Sequence, residues 1–197
     1  MRGISLSFGM IFLLALAAST PANADAKHDA ALCKSVASGT AASIARLLKK
    51  GADVNANCDG DTPLMDAVQY GNDAVIKALL EGKADVTRRD KDGWTALYWA
   101  RSVHAADLLV RHGADVNAGD HENNTPLMAA TMVASLPLVQ LLLDHNADVS
   151  ARLDNGNNAL GIAINLQDAV SAALEPARVP SARAIEALLR AHGATPP

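Results

Sequence analysis

The sequence predicts an all-α solenoid, in which small helical units stack side by side. The first observation is a recurring segment: "GADVN" at residues 51–55 returns as "KADVT" at 83–87, "GADVN" at 113–117 and "NADVS" at 146–150. The aspartates of these copies, Asp53, Asp85, Asp115 and Asp148, lie 32, 30 and 33 residues apart. That spacing is typical of a stacked supersecondary unit rather than of a turn.

A second shared segment follows each aspartate and predicts a tight turn and a short helix. Its copies are "DGDTPLMDAVQYG" (59–71), "DGWTALYWARS" (92–102), "ENNTPLMAATMVA" (122–134) and "NGNNALGIAINLQ" (155–167). Asp-Gly and Asn-Gly favour tight turns because glycine tolerates positive φ. Thr62, Thr95 and Thr125 are placed to cap the following helix, and Pro63 and Pro126 fit its first position.

A second helix in each unit is predicted by paired leucines. The pairs are Leu47-Leu48, Leu79-Leu80, Leu108-Leu109, Leu142-Leu143 and Leu188-Leu189. Ile44, Ile76, Val139 and Ile185 stand three residues before a pair and extend the apolar stripe on one helical face. Gly51, Gly113 and Gly193 lie where a glycine ends such a helix. One unit is therefore turn, helix, short turn, helix and extended loop.

This pattern resembles the ankyrin repeat, whose consensus "DGxTPLHxAxxxGxxxxVxxLLxxGADVN" is matched nearly whole by residues 59–86. The resemblance extends over residues 29–194 and implies antiparallel helix pairs whose loops project as β-turn fingers. It implies an N-terminal capping unit at 25–57, repeats at 58–89, 90–119 and 120–152, and a C-terminal capping unit at 153–197. Capping units cover the exposed ends of such a stack.

Three units depart from the pattern. The first finger, at 56–61, is one residue shorter than the others. The third unit is three residues shorter, which predicts a cramped hairpin and a short second helix in "RSVHAADLLV" (101–110). The last unit has 14 extra residues, with an insertion at about 165–180. There we expect a first helix to about Leu174, a loop set by Pro176 and Pro180, and a second helix capped by Ser181. The insertion is either an elongated cap or part of a binding edge.

The N-terminus has the pattern of an export signal. Arg2 is followed by an almost unbroken apolar run at 4–18, and Ala22-Asn23-Ala24 is a small-x-small cleavage pattern, so residues 1–24 would be removed before Asp25. The apolar run is shorter than the ~20 residues of a membrane-spanning helix, although a retained membrane anchor is the alternative. We therefore expect a periplasmic or secreted protein that has no membrane contact after cleavage.

Composition and motifs argue against several function classes. The mature chain of 173 residues has 16 basic and 21 acidic residues, a net charge of −5. Nucleic acid and anionic lipid are poor partners because both need a concentrated basic face. Phosphate-loop, paired-carboxylate and nucleophile–histidine–acid motifs are not recognisable, and the histidines are too scattered for a zinc site. We expect a monomer that is not an enzyme and holds neither cofactor nor metal.

The resemblance also implies where a protein partner would bind, because binding in this family uses the finger tips and the exposed side of each first helix. Those positions are Asp59, Asp61, Gln69, Tyr70, Arg89, Lys91, Trp94, His121, Glu122, Asn124, Met132, Val133, Arg152, Asp154, Asn157 and Asn165. Trp94 and Tyr70 are the aromatic candidates for interface anchors. Local packing is the alternative for Trp94, and Trp99 is expected in the core between repeats.

The stacking implied by the resemblance also brings two cysteines together. Cys33 lies early in the first helix of the N-terminal cap, and Cys58 lies in the finger that follows the same unit. We expect a disulfide between them, which suits an oxidising compartment.

The leading hypothesis is an exported, non-enzymatic module that holds a protein partner on the concave face of the stack. Two alternatives use the same architecture. One is an immunity or inhibitor protein directed at an envelope-active toxin or lipase. The other is an accessory factor that stabilises an envelope enzyme, such as one that detoxifies oxidants.

Overall fold

A computed structural model describes residues 22–172 and 179–197, and the regular secondary structure within them is helical. The helices are α1 (Ala22–Ser35), α2 (Ala41–Lys49), α3 (Pro63–Tyr70), α4 (Asp73–Glu81), α5 (Val103–Arg111), α6 (Pro126–Met132), α7 (Leu136–Asp144), α8 (Ala159–Ala172) and α9 (Val179–Ala191). Extended pairing in these ranges is limited to isolated bridges, such as the one between Cys58 and Asp61. The predicted all-α solenoid is confirmed. Most of the proposed export signal lies outside the described residues, and the proposed cut after Ala24 falls in the first turn of α1.

The helices form two layers. The second helices of successive units contact one another in the order α2, α4, α5, α7 and α9. The first helices form the other layer, in which α1 contacts α3 and α6 contacts α8. Where a unit has two helices, they pack on each other as a hairpin and also contact a neighbouring unit.

The core runs between these layers as one continuous apolar cluster. The predicted stripe residues Ile44, Ile76, Val139 and Ile185 are completely buried. Leu79, Leu109, Leu142 and Leu189, one from each of four predicted leucine pairs, are buried beside them. Burial of each large aliphatic side chain contributes about 1.5–3 kcal/mol, and here it is obtained only by contact between units.

The predicted starts of two first helices are confirmed. The hydroxyl of Thr62 accepts a hydrogen bond from the Met65 N–H at 3.3 Å, and α3 begins at Pro63. The hydroxyl of Thr125 accepts one from the Met128 N–H at 3.5 Å, and α6 begins at Pro126.

The third unit differs from the prediction. In place of a first helix, residues 95–100 form overlapping turns, in which the N–H groups of Tyr98, Trp99 and Ala100 each donate to a carbonyl three residues earlier, at 3.1–3.2 Å. Thr95 caps no helix, and its buried hydroxyl has no partner in the part of the chain that the structure describes.

The expected short second helix in the third unit is also wrong. Helix α5 has nine residues, as many as α2, α4 and α7. Helix α5 carries the fully buried Leu109 and contacts both α4 and α7, so the shortening of the unit falls on the first helix instead.

In the last unit, the predicted cap of the second helix is wrong. Helix α9 begins at Val179, so Ser181 is its third residue rather than its cap, and Pro180 lies in its first turn rather than in a loop. At the other end of the unit, Asn158 accepts a hydrogen bond from the Gly161 N–H at 2.9 Å and caps α8. The predicted loop at Pro176, and the end of the first helix near Leu174, fall outside the described residues.

The "GADVN" copies that end in asparagine, at 51–55 and 113–117, each form a hydrogen bond to the equivalent segment of the next unit. Asn55 accepts from the N–H of Asp85, and Asn117 accepts from the N–H of Asp148, both at 2.8 Å. Each of these aspartates accepts in turn from the N–H two residues further on, at 2.8–2.9 Å. These bonds therefore fix the segment that follows one second helix relative to the segment that follows the next.

The N-terminal capping unit carries the expected cross-link. A disulfide joins Cys33 of α1 to Cys58 in the first finger, with 5.5 Å between their Cα atoms. It closes a loop of 25 residues around α2. The link holds the terminal unit, which has a neighbour on one side only.

The second residue after each second helix adopts a left-handed conformation. Gly51, Gly113 and Gly193 have φ values of 94°, 92° and 87°, as their positions predicted. Lys83 occupies the same place after α4 with φ of 69°, although its Cβ makes that conformation costly.

Replacing Lys83 with glycine is expected to raise the free energy of unfolding by about 0.5–1 kcal/mol, because glycine adopts positive φ without a Cβ clash. The matched control is Gly113→Lys, which places lysine in the same conformation after α5 and should lower stability by a similar amount. Urea unfolding of both variants checks this. A Lys83→Gly protein no more stable than the parent would contradict it.

Removing the disulfide by replacing Cys33 and Cys58 with serine is expected to lower the free energy of unfolding. For a 25-residue loop, the loss of chain entropy in the unfolded state corresponds to about 3–4 kcal/mol. The parent protein unfolded in a reducing agent should match the serine variant. Two alkylatable thiols in the protein purified without reducing agent, found by intact mass, would contradict the cross-link.

Candidate functional site

The fingers are built by two turn types. In the first finger, Cys58 and Asp61 exchange backbone hydrogen bonds of 2.8 and 3.3 Å around Asp59 and Gly60. Both tip residues have positive φ, 60° and 114°, which is the type I′ turn that a two-residue loop favours.

The other three fingers have one more residue in the loop. The pairs joined by a backbone bond at the base are Asp90–Trp94, Asp120–Asn124 and Leu153–Asn157, at 2.9, 3.2 and 2.8 Å. The predicted one-residue difference in the first finger is therefore confirmed. It changes the shape of that finger tip.

Two aspartates that the sequence analysis did not select organise the middle fingers. One oxygen of Asp90 accepts from the N–H groups of Asp92 and Trp94, both at 2.9 Å. Asp120 accepts in the same way from Glu122 and Asn124, both at 2.8 Å. The signal in the sequence was an aspartate at the same place in "RDKDGW" and "GDHENN".

Trp94 is packed into an aromatic cluster at the base of the second finger. Its ring stacks on Tyr98, with centroids 4.4 Å apart, and meets Trp99 edge-on at 4.7 Å. Its indole N–H donates to the carboxylate of Asp120 in the next finger. The half-buried Trp94 therefore has the local packing role that was the alternative to an interface anchor, while Trp99 is half-buried at the edge of the core.

The side of Trp94 nearest the third finger opens into a cleft of about 500 Å³, which we term the acidic cleft. Its lining residues are Asp92, Trp94, Asp120, His121, Glu122 and Asn124. The His121 ring lies so close to Gly93 that a Cβ added there would be 3.1 Å from it. The two fingers therefore approach closely because one of them carries glycine.

A second cleft, of about 470 Å³, lies between the third and fourth fingers and is termed the apolar cleft. Its lining residues are Glu122, Asn124, Met132, Leu153, Asn157, Ile162, Asn165 and Leu166. Met132 is 38% exposed, which is unusual for so large an apolar side chain. The two clefts share Glu122 and Asn124, so they are adjacent.

The predicted residues in the N-terminal half are more scattered. Asp61 and Arg89 line a smaller cleft of about 120 Å³ between the first and second fingers. Tyr70, 60% exposed, and Gln69 lie at the end of α3 and line none of these three clefts.

Two predicted arginines hold loops together. Arg89 donates to the carbonyls of Gly93 in its own finger and Gly119 in the next. Arg152 donates to the carbonyl of Gly156 at 2.9 Å and of Pro196, in the C-terminal tail, at 3.5 Å. Structural roles therefore explain both residues, and their contact with a partner stays a prediction.

The fingers and first helices carry an excess of acidic side chains. In residues 57–71, 88–101, 119–133 and 152–167 the acids are Asp59, Asp61, Asp66, Asp90, Asp92, Asp120, Glu122 and Asp154, and the bases are Arg88, Arg89, Lys91, Arg101 and Arg152. These ranges therefore contain eight acidic and five basic residues, of which Asp90 is buried.

Burial and neighbouring carboxylates raise the pKa of two aspartates near the first finger. Burial, with the nearby Asp61 and Asp59, raises the pKa of Asp66 to about 6. Burial and the carboxylate of Asp90 raise the pKa of Asp61, which the Lys91 ammonium partly offsets. Asp66 was missed at the sequence level, although three aspartates within "DGDTPLMD" were its signal.

Two other kinds of feature were sought in the described ranges, a metal site and a membrane-spanning helix. Within residues 22–172 and 179–197, no group of three or more histidine, cysteine or acidic side chains is placed to hold a metal ion. The same ranges contain no helix with the length and apolar character to cross a bilayer.

Comparison with known proteins identifies the repeat type. The family described as "Ankyrin repeats (3 copies)" matches the chain over residues 6–90, 32–120, 82–153 and 101–182. These overlapping matches cover most of the sequence, including all of the fingers described above.

Individual relatives match part of the chain. The mouse "B-cell lymphoma 3 protein homolog" is 40% identical over 83 residues, which are 40% of this chain and 18% of that protein. The mouse "Ankyrin repeat and SOCS box protein 6" is 42% identical over 82 residues, 39% of this chain and 20% of that protein. The human "BCL-6 corepressor-like protein 1" is 34% identical over 82 residues, 40% of this chain and 5% of that protein. The chain thus spans a fifth or less of these curated relatives.

Neutralising Asp66 is expected to stabilise the fold only above its pKa. An acid whose pKa is raised by folding costs nothing when protonated in both states, and stability is lost as pH rises from its unfolded pKa through about 6. Asp66→Asn should therefore raise the free energy of unfolding by roughly 1–2 kcal/mol near pH 8, after allowance for solvent screening. Near pH 4 the difference should largely vanish.

Urea unfolding across this pH range tests whether the stabilisation by Asp66→Asn increases with pH. Asp85→Asn is the contrasting control. The hydroxyl and N–H of Thr87 lower the pKa of Asp85, so its stabilisation is present at neutral pH and is lost in acid. An Asp66→Asn gain that is the same at both ends of the range would show that burial and repulsion are not its cause.

Proposed function

The chain belongs to the ankyrin-repeat family, and we propose that it is an exported, non-enzymatic module that holds a protein partner on its fingers and first helices. Ankyrin repeats generally mediate protein–protein interactions. The observation that carries the proposal is the adjacent pair of clefts on that side of the stack. Their lining offers a surface for contact with a partner, and the clefts contain no recognised group of catalytic residues. The partner side chains would enter between fingers whose spacing the scaffold holds.

Rigidity of the fingers supports binding rather than a purely structural role. Trp94 and Arg89 tie the second finger to the third. The third is tied to the fourth by Asn123, whose amide donates to Asp154 at 2.8 Å, and by the Asp154 N–H, which donates to the Glu122 carbonyl at 3.2 Å. A surface ordered before binding loses less conformational entropy on association.

Two observations support export to the periplasm or beyond. The first is the N-terminal order of positive residue, apolar run and small-x-small pattern. The second is the disulfide between Cys33 and Cys58, because structural disulfides persist mainly in oxidising compartments.

The binding half of the proposal is tested with the mature chain as bait in an envelope extract. Exchanging Tyr70 and Met132 for serine removes two exposed apolar side chains from the finger side and should reduce partner recovery by roughly tenfold or more. Val103→Ser is the matched control, because Val103 is similarly exposed, at 39%, but begins the second helix α5. Equal recovery of the partner by the parent chain, the Tyr70→Ser, Met132→Ser variant and Val103→Ser would reject the finger side as the binding surface.

The export part of the proposal is tested in the same cells. N-terminal sequencing of the periplasmic fraction should begin at Asp25, and a chain that keeps residues 1–24 would overturn export with cleavage. Deleting the gene then separates the modes of action. Release of a partner's activity indicates an inhibitor, whereas its loss indicates an accessory factor.

A further inference from the structure

We propose that the acidic and apolar clefts together bind one extended partner segment, in which a lysine or arginine lies close to a large apolar side chain. The inference rests on the proposed function, since it specifies the chemistry of the partner at that surface. Its basis is the lining of the two clefts and the difference between the fourth finger and the two before it.

The acidic cleft has two carboxylates available to a ligand. Asp120 is occupied by the N–H groups of Glu122 and Asn124 and by the Trp94 indole. Asp92 and Glu122 are exposed, each two residues after the organising aspartate of its finger. Neither forms a salt bridge with any residue that the structure describes.

Three basic side chains of these fingers are directed elsewhere. Arg89 is bonded to the carbonyls of Gly93 and Gly119, and Arg152 is bonded to that of Pro196. Lys91 lies beside Gly60 of the first finger. His121 lines the cleft itself. The carboxylates of Asp92 and Glu122 are therefore complemented best by a basic group from a partner, which also disfavours phosphate-bearing ligands.

The apolar cleft depends on one substitution in the fourth finger. Leu153 stands where the second and third fingers have Asp90 and Asp120, and this finger still closes with a bond of 2.8 Å between Leu153 and Asn157. The aspartate is thus not required to close the finger, and leucine there adds apolar lining beside Met132 and Leu166. A leucine, isoleucine, methionine or phenylalanine side chain of the partner suits this lining.

One segment reaches both clefts because they share Glu122 and Asn124. An extended peptide advances about 3.3 Å per residue, so a basic and an apolar residue within roughly four positions of each other can occupy the two clefts. Hydrogen bonds join the third finger to the second, through Trp94 and Arg89, and to the fourth, through Asn123, so one set of contacts connects the walls of both clefts.

The test is selection of random dodecapeptides displayed on phage against the mature chain. We expect selected peptides to carry lysine or arginine within roughly four positions of a large apolar residue. Selection on the Asp92→Asn, Glu122→Gln variant should lose the basic residue, and selection on Met132→Ser should lose the apolar one. The matched control, Glu81→Gln with Asp144→Asn, removes the same charge from second helices and should select the parent pattern.

A selected peptide then tests the charge contact directly by calorimetry. Replacing its arginine with citrulline, a neutral analogue of the same shape, should weaken binding to the parent chain by roughly tenfold. On the Asp92→Asn, Glu122→Gln variant the same replacement should have little effect, because the partner charges are already absent. Binding to the parent should weaken as salt rises from about 0.05 to 0.5 M.

Peptides that are acidic, peptides without a basic residue, or a library that yields no binder would overturn the inference. Self-association of the parent chain that Met132→Ser abolishes would also overturn it, by assigning the clefts to a second copy. Unchanged thermal unfolding of each variant shows that the fold is intact. If envelope capture still depends on Tyr70 and Met132 while the peptides lack basic residues, the proposed function stands and this inference alone fails.

Discussion

Apolar contact between successive second helices is the interaction on which the rest of the structure depends. Helices of nine residues are marginal alone, and each becomes stable by placing side chains such as Ile76 and Leu109 against the next unit. The third unit shows the priority of this contact, since it gives up its first helix and keeps α5 at full length. A first helix is dispensable where aromatic side chains fill its place, whereas a gap in the second-helix layer would divide the core.

The fingers follow a different principle, because polar side chains rather than apolar burial determine their shape. Asp90 and Asp120 each collect backbone N–H groups of their own loop, and Asp120 also receives the indole of the preceding finger. Loop conformation and finger spacing are thereby set by the same side chains. The core can remain nearly constant from unit to unit while the tips vary, which separates the residues that maintain the stack from those that can select a partner.

Features encoded by adjacent residues were predictable from the sequence, and features created by packing were not. The Thr-Pro helix starts, the glycines after second helices and the one-residue shortening of the first finger depend on local spacing, and all were found. Cys33 and Cys58 were paired through the known stacking of the family. Thr95 failed as a cap because the missing residues remove the helix it would cap. The burial of Trp94, the raised pKa of Asp66 and the continuity of the two clefts depend on contacts between units, which no single segment specifies.

Both tryptophans of the chain, Trp94 and Trp99, belong to the third unit and touch each other. Intrinsic fluorescence therefore reports on one unit in the middle of the stack, whereas far-ultraviolet dichroism sums over helices from end to end. Terminal units of a solenoid can unravel while interior ones stay paired. A denaturation curve followed by emission and one followed by dichroism would then separate, and the interval between them would measure how far the ends open before the centre does.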